Sequence, residues 1–449
     1  MSQTRTAYHA RWVLPIASPA IADGAIVVEG ATIQYVGASR DAAADVHVHL
    51  GHSVLMPGLV NAHTHLELTA MRGFLDGLDF RKWLGVLTVA RQEVLDADAL
   101  VDSATIGIHE GLLAGVTTFA DCASSVAPLA AMRATGVRGI GYVETFGPDP
   151  RRCESSLRAL QHTVTAERQL DSLLVKVGVS PHAPYTVSEP LFRAVADWAR
   201  VERLPLAVHV SESQAELAYV RDGSGPFADR LRERGITVHG TGVSPVQWLA
   251  TMGVLGADTL LIHGVQLDEH DVQLVAASNS AVVHCPISNA KLGHGMAPLE
   301  LFRQHGIRVG LGSDSVASNN RMDLLSEARV ATLFQSMRLG VPDALAAGDA
   351  LHLATLGGAR ALGMGAITGS LEVGKQADIA AFPLDRIEAL TQFEPEAMLV
   401  HALAGAVQAN VVLVAGRELV RDSRVVDAVE GLGERVAAIA ERLQGWRTR

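Results

Sequence analysis

The sequence predicts an α/β protein centred on a (β/α)8 barrel, with a small β domain built from both termini. Three observations predict it. Between about residues 58 and 364, apolar runs of strand length alternate with amphipathic helical stretches, the rhythm of βαβ units around a parallel sheet. Both ends of the chain carry short strands and turns instead. Histidines and acids recur at the carboxyl ends of the apolar runs, where barrel enzymes keep their chemistry.

The elements follow in order. Ala25-Ile26-Val27-Val28, the turn Glu29-Gly30 and residues 31–36 read as a hairpin. Eight barrel strands are expected at 54–62, 116–121, 139–144, 174–180, 206–209, 259–263, 281–284 and 309–314. The segment 221–247, rich in Gly, Arg and Asp, reads as a surface excursion after the fifth strand. Strand texture returns at 377–382 and 411–414, and helical periodicity from about 425 predicts a helix docked outside. The expected units are therefore 1–57 plus 365–424, the barrel 58–364, and a C-terminal helix 425–449.

Bulk properties narrow the function. At 449 residues the chain exceeds a single core, and 48% hydrophobic with 19% charged residues is a globular composition. A net charge of −11 without a Lys/Arg cluster argues against a nucleic-acid surface. Pro15 and Pro19 interrupt the only candidate leader, and no run approaches the ~20 apolar residues of a membrane span. Cys122, Cys153 and Cys285 are too few and too scattered for a disulfide framework or a zinc ribbon. A cytoplasmic enzyme with a small-molecule substrate is expected, its oligomeric state left open.

The chemistry is read from His63-x-His65. Two residues apart on a strand, these imidazoles share a face and can bind one ion. His209 ends the fifth strand and Asp314 the eighth, so three imidazoles and a carboxylate complete a sphere for one divalent ion, zinc first, with iron or manganese as alternatives. Each has a plainer reading: His209 as a packed strand-end histidine, Asp314 as a helix N-cap. Glu212, three residues after His209, is expected as a proton shuttle with a raised pKa, or else as a solvated helix start. His263, ending the sixth strand, is free to meet the attacking water or simply packs. His182, after the fourth strand, either contacts substrate or braces its loop; Trp83 covers the site from a lid or lies in the core. Lys176 falls inside the fourth strand and reads as structural.

These residues sit in Pro57-Gly58-Leu59-Val60-Asn61-Ala62-His63-Thr64-His65, Ser180-Pro181-His182-Ala183-Pro184, His209-Val210-Ser211-Glu212, His284-Cys285-Pro286-Ile287-Ser288-Asn289 and Gly312-Ser313-Asp314. Together with Gly369-Ser370-Leu371-Glu372-Val373-Gly374-Lys375-Gln376-Ala377-Asp378, they resemble the amidohydrolase superfamily over nearly the whole chain, in its cytosine deaminase and chlorohydrolase-like branch. The resemblance implies a β-sandwich from the two termini. It also implies a metal at His63, His65, His209 and Asp314, and hydrolytic deamination with Glu212, His263 and Asp314 catalytic and His182 and Trp83 at the substrate. The pattern is most similar to deaminases of adenosine-like compounds: S-adenosylhomocysteine, 5′-methylthioadenosine, and the 6-amino-6-deoxyfutalosine of menaquinone synthesis. The insertion at 221–247 favours the last. Guanine-, cytosine- or chlorotriazine-type hydrolysis is the alternative, and an inactive binding protein the distant one. Where relatives acting on S-adenosylhomocysteine hold the ribose with a Glu, this chain has Gln92 beside Glu93. Cys285-Pro286 lacks the second cysteine of the Cys-pair zinc deaminases, which excludes that class.

Overall fold

The computed structural model describes residues 4–391 and 393–447; residues 1–3 and 448–449 of the expected terminal units lie outside that range. The amino-terminal strands are β1 (Arg5–Val13), β2 (Ile21–Glu29), β3 (Thr32–Ala38), β4 (Val46–His49) and β5 (Ser53–Pro57). The barrel follows as β6 (Leu59–Thr64), β7 (Val116–Ala123), β8 (Arg138–Thr145), β9 (Val175–Pro181), β10 (Leu206–Val210), β11 (Thr259–His263), β12 (Ala281–His284) and β13 (Arg308–Leu311). The chain then returns as β14 (Ile379–Pro383), β15 (Val411–Val414), β16 (Arg417–Arg421) and β17 (Arg424–Val425).

Strands β6 to β13 pair in sequence order, all parallel. A parallel bridge between Thr64 and Asp314, with the Asp314 N–H donating to the His63 carbonyl at 2.9 Å, joins first strand to last. Near this seam the Asn61 amide donates to Ser313 Oγ and its oxygen accepts from the Ser313 N–H, at 2.8 and 2.9 Å. Gly312 has no side chain for a steric reason: a Cβ there would lie 2.8 Å from His63 Cβ. Side chains such as Val60, Ala62, Ala120, Ile140, Ile262 and Val283 pack together, while a larger cluster joins the strands to the helices. This is the layered interior that a closed parallel barrel requires.

The second sheet mixes both ends of the chain, in the order β17-β16-β15-β14-β5-β1-β2-β3, with β4 on β1. The hairpin expected around Gly30 is β2–β3. The first barrel strand is shorter than expected. Residues 53–57 pair with β14 and β1 in the terminal sheet, and the barrel strand starts only at Leu59. Gly58 makes the break: its N–H donates to the Asp378 carbonyl at 2.9 Å, and a Cβ would strike Thr117 at 2.2 Å. On this basis we propose the division into 1–57 plus 365–424, a barrel unit 58–364 and a C-terminal helix.

The excursion at 221–247 is largely helical. Helices Gln214–Asp222, Gly225–Glu233 and Pro245–Thr251 cover this stretch and its flanks, and Phe227, Ala228 and Leu231 are buried. The final helix, Leu432–Arg447, begins later than the sequence pattern suggests because Arg424–Val425 is still strand. It clamps the helices Phe80–Val94 and Ala97–Leu113 through Arg442–Asp96, Arg435–Asp102 and Trp446 Nε1–Glu93. The three cysteines are free. No helix among the described residues is long and apolar enough to cross a membrane.

Candidate active site

The barrel strands deliver the histidines to one place. His63 lies on β6, His65 just beyond it, His209 on β10 and His263 at the end of β11, with Asp314 after β13. His63 Nε2 and His65 Nε2 lie 3.2 and 3.6 Å from Asp314 Oδ1, and His65 Nε2 is 3.3 Å from His209 Nε2. Four ligands about 2.0–2.1 Å from one tetrahedral ion stand roughly 3.3 Å apart. The His63–Asp314, His65–Asp314 and His65–His209 contacts are close to that spacing, and His63, His65 and His209 lie near enough together to share a zinc-type cation. His63, His65 and His209 form one such grouping, His63, His263 and Asp314 a second that shares His63, and Glu144, His182 and His209 a third.

Charge and hydrogen bonding aim these donors. Burial pushes the imidazoles down, His63 to about 4 and His209 well below its ordinary value, so they stay neutral with lone pairs available. Burial alone would push Asp314 up; the hydrogen bond and charge of His63, with His263 and His65, outweigh it and hold the carboxyl well below its usual range. Its other oxygen, Oδ2, accepts from Ser288 Oγ at 2.5 Å and Ser318 Oγ at 3.2 Å, leaving Oδ1 to the histidines. His209 Nδ1 lies 3.2 Å from the His182 carbonyl and His263 Nδ1 lies 3.0 Å from Asn289 Oδ1. With the proton on Nδ1 in both rings, each Nε2 presents a lone pair.

Backbone conformation is spent here as well. Ser211, His263 and Asp314 adopt φ of 52°, 75° and 58°, a left-handed region that costs non-glycine residues energy and gathers at functional sites. Ser211 turns the chain so that Glu212 leaves β10 inward. Glu216 holds that turn by accepting from the Ser211 and Glu212 N–H groups at 2.8 and 2.9 Å.

Glu212 Oε1 sits between His294 Nε2 at 3.2 Å and His263 Nε2 at 3.6 Å. The raised pKa expected for Glu212 is not found. Burial pushes it up, but His263 and His294 more than compensate and hold it below the ordinary carboxylate value. His182 is packed over the centre: its ring lies 4.7 Å from that of His209, Nδ1 pairs with Thr186 Oγ1, and burial lowers it to about 3. Beside it, Glu144 Oε1 is buried, without a hydrogen-bond partner and 4.0 Å from His182 Nε2.

Trp83 is buried in the helix Phe80–Val94, its indole N–H donating to the Ala317 carbonyl at 3.3 Å. Phe80 stands between it and the centre, edge-on to His294 at 4.6 Å and stacked near Trp83 at 6.3 Å. Phe227, brought in by the excursion, stacks on Tyr185 at 4.0 Å and meets Phe80. These aromatic rings form an apolar wall beside Glu212. Glu93 is exposed and engaged by Trp446, and Gln92 is exposed too, so neither is placed to hold a ribose. His294, Phe80, Phe227, Glu144 and Glu216 carry roles that no local motif marks; the four-residue spacing of Glu212 and Glu216 was the one available signal.

A parallel barrel with a histidine–carboxylate centre at its strand ends is the architecture of a barrel hydrolase. The chain belongs to the amidohydrolase family, whose model matches residues 54–418, and it is an enzyme of hydrolytic C–N bond cleavage. It is 33% identical over 430 residues, 94% of each chain, to a 5-methylthioadenosine/S-adenosylhomocysteine deaminase of Syntrophobacter fumaroxidans. A 5′-deoxyadenosine deaminase of Methanothermobacter thermautotrophicus is 33% identical over 376 residues, 83% of each chain. Among solved structures, an adenosine deaminase from Xanthomonas campestris with bound zinc superposes with a TM-score of 0.88 at 29% identity, covering 98% of both chains.

Proposed function

We propose that the protein hydrolytically deaminates an adenosine-like nucleoside, with a divalent ion, zinc first, held by His63, His65, His209 and Asp314. The observation that carries this reading is the convergence of the four side chains, with His63–Asp314, His65–Asp314 and His65–His209 contacts of 3.2, 3.6 and 3.3 Å, beside the Glu212–His263 pair. The ion, when bound, lowers the pKa of water toward about 7.

The residues supply the rest. Glu212, ionised between His263 and His294, starts as a base. It takes a proton from the attacking water and delivers it to the ring nitrogen beside the amino-bearing carbon. His263 and Asp314 hold the water, and Asp314 passes the second proton to the departing amine. A C–O bond forms, the C–N bond breaks, and ammonia leaves. His182 and the Phe80–Trp83–Phe227 wall enclose the base, excluding water from the charge that develops.

The relatives at 33% identity act, by their names, on methylthioadenosine, S-adenosylhomocysteine and 5′-deoxyadenosine. That supports a 5′-substituted or 5′-deoxy adenosine ahead of 6-amino-6-deoxyfutalosine. The decisive experiment is an ammonia-release screen over 5′-methylthioadenosine, S-adenosylhomocysteine, 5′-deoxyadenosine, 6-amino-6-deoxyfutalosine, adenosine, guanine and cytosine. The highest kcat/KM is expected on one of the first three. Turnover of guanine or cytosine alone would overturn the assignment.

A further inference from the structure

The chain contains a second His-x-His, far from the barrel mouth. His47 and His49 lie on β4, whose register pairs Ala7 with His47 and His9 with His49. On parallel strands this puts all three histidines on one face. Their rings are in contact: His9 stacks against His49 at 4.7 Å and against His47 at 5.1 Å between ring centres. His9 Nε2 and His47 Nδ1 are 2.9 Å apart. His47 and His49 are exposed while His9 is 8% exposed, so the cluster opens to solvent with one member anchored.

The anchoring is directional. His9 Nδ1 lies 2.6 Å from Ser39 Oγ; with the proton on Nδ1, the Nε2 lone pair faces His47. Burial, then the neighbouring imidazoles, keep His9 below its ordinary pKa of 6.5. Two nitrogens bound at about 2.0–2.1 Å to one ion stand roughly 2.9–3.4 Å apart for bond angles from a right angle to tetrahedral. The His9–His47 pair is inside that range, and His49, exposed on the same face, supplies a third donor by rotating its ring. Solvent fills the remaining positions. Three imidazoles without a carboxylate or thiolate suit ions of borderline softness, zinc, nickel or copper(II), over calcium or magnesium.

We propose that His9, His47 and His49 form a second transition-metal site on the terminal β-sheet, independent of the catalytic centre. The competing occupant is a proton shared between His9 and His47.

The test is a titration of the zinc-loaded holoenzyme with nickel(II), read against a chromophoric chelator and checked by metal analysis after gel filtration. The wild type is expected to take up one further equivalent. The surface double variant His47→Gln/His49→Gln is expected to lose that equivalent while keeping its catalytic zinc and its kcat/KM. Absence of the extra equivalent in the wild type would overturn the site, as would its persistence in the double variant. Both replaced side chains are exposed, so a normal melting temperature shows that the variant folds and the loss is local.

Discussion

At the scale of single residues, Glu212 is tuned by neighbours more than by burial. A buried carboxylate isolated from charge would hold its proton at neutral pH; flanked by His263 and His294, this one is ionised. Replacing Glu212 with Gln preserves shape but removes the base. Turnover should fall by about 10²–10⁴-fold while bound metal, measured by elemental analysis, is unchanged. Near-normal kcat would remove Glu212 from the mechanism. Glu327 shows the opposite tuning. Burial pushes it up to about 8, and its bonds from the Ile287 N–H and Asn319 only partly resist. The folded chain keeps this proton to about pH 8, whereas the unfolded chain releases it near 4.5. Folded protein thus binds more protons across that window, and stability falls as pH rises through it. Glu327→Gln cannot titrate. Its stability relative to wild type should therefore climb between pH 5 and pH 8, by up to about 1.4 kcal/mol per pH unit, in denaturant midpoints measured at several pH values. A flat difference would show that Glu327 is ionised in the folded protein.

At the scale of elements, the seam between β6 and β13 sets the geometry of the proposed metal ligands His63 and Asp314. His63 and Asp314 belong to the two ends of the barrel sheet, and their 3.2 Å approach exists only because the sheet closes. Gly312→Ala places a methyl 2.8 Å from His63 Cβ and 3.0 Å from the His63 N, where backbone must move. A loss of about 1–3 kcal/mol is expected, together with weaker zinc retention on dialysis; unchanged melting and zinc content would show that the seam yields without cost. Strand ends were legible in the sequence because continuous apolar runs of strand length stop at histidines and acids, so His63, His65, His209, His263 and Asp314 could be read from position. His294, Phe80 and Phe227 could not. They lie on loops and helices whose approach depends on packing across the barrel mouth, and a helical residue's direction is not fixed by its neighbours in sequence. Trp83 was visible as an aromatic near the site, yet Phe80, three residues earlier on the same helix face, is the ring that touches His294. The break at Gly58 had a signal in Pro57-Gly58, but apolar residues on both sides of it read as one strand over 54–62; the bond from the Gly58 N–H to the Asp378 carbonyl and the close approach to Thr117 separate two strands in two sheets.

At the scale of the whole molecule, barrel and terminal sheet are locked by one buried ion pair. Arg138, opening β8, donates from Nε to Asp378 Oδ2 at 2.5 Å and from Nη2 to Asp378 Oδ1 at 3.0 Å, with both side chains at most 1% exposed. Asp378 immediately precedes β14; its Oδ1 also accepts from the Ala415 N–H at 2.7 Å, and its carbonyl takes the Gly58 N–H. One residue therefore holds the barrel, the returning strands and the turn where β5 leaves the terminal sheet. A buried pair of this kind adds little net stability over an apolar replacement, but removing one partner strands the other charge. Asp378→Asn leaves the Arg138 guanidinium buried without an anion, and a loss of about 3–5 kcal/mol is expected. Because β5 runs into β6 through Gly58, the strain cannot stay in one sheet. Calorimetry should show a single transition at lower temperature, in which barrel and terminal sheet melt together. Two separated transitions, with the barrel still melting at the wild-type temperature, would mean that the two sheets fold independently and that Asp378 serves only the smaller one.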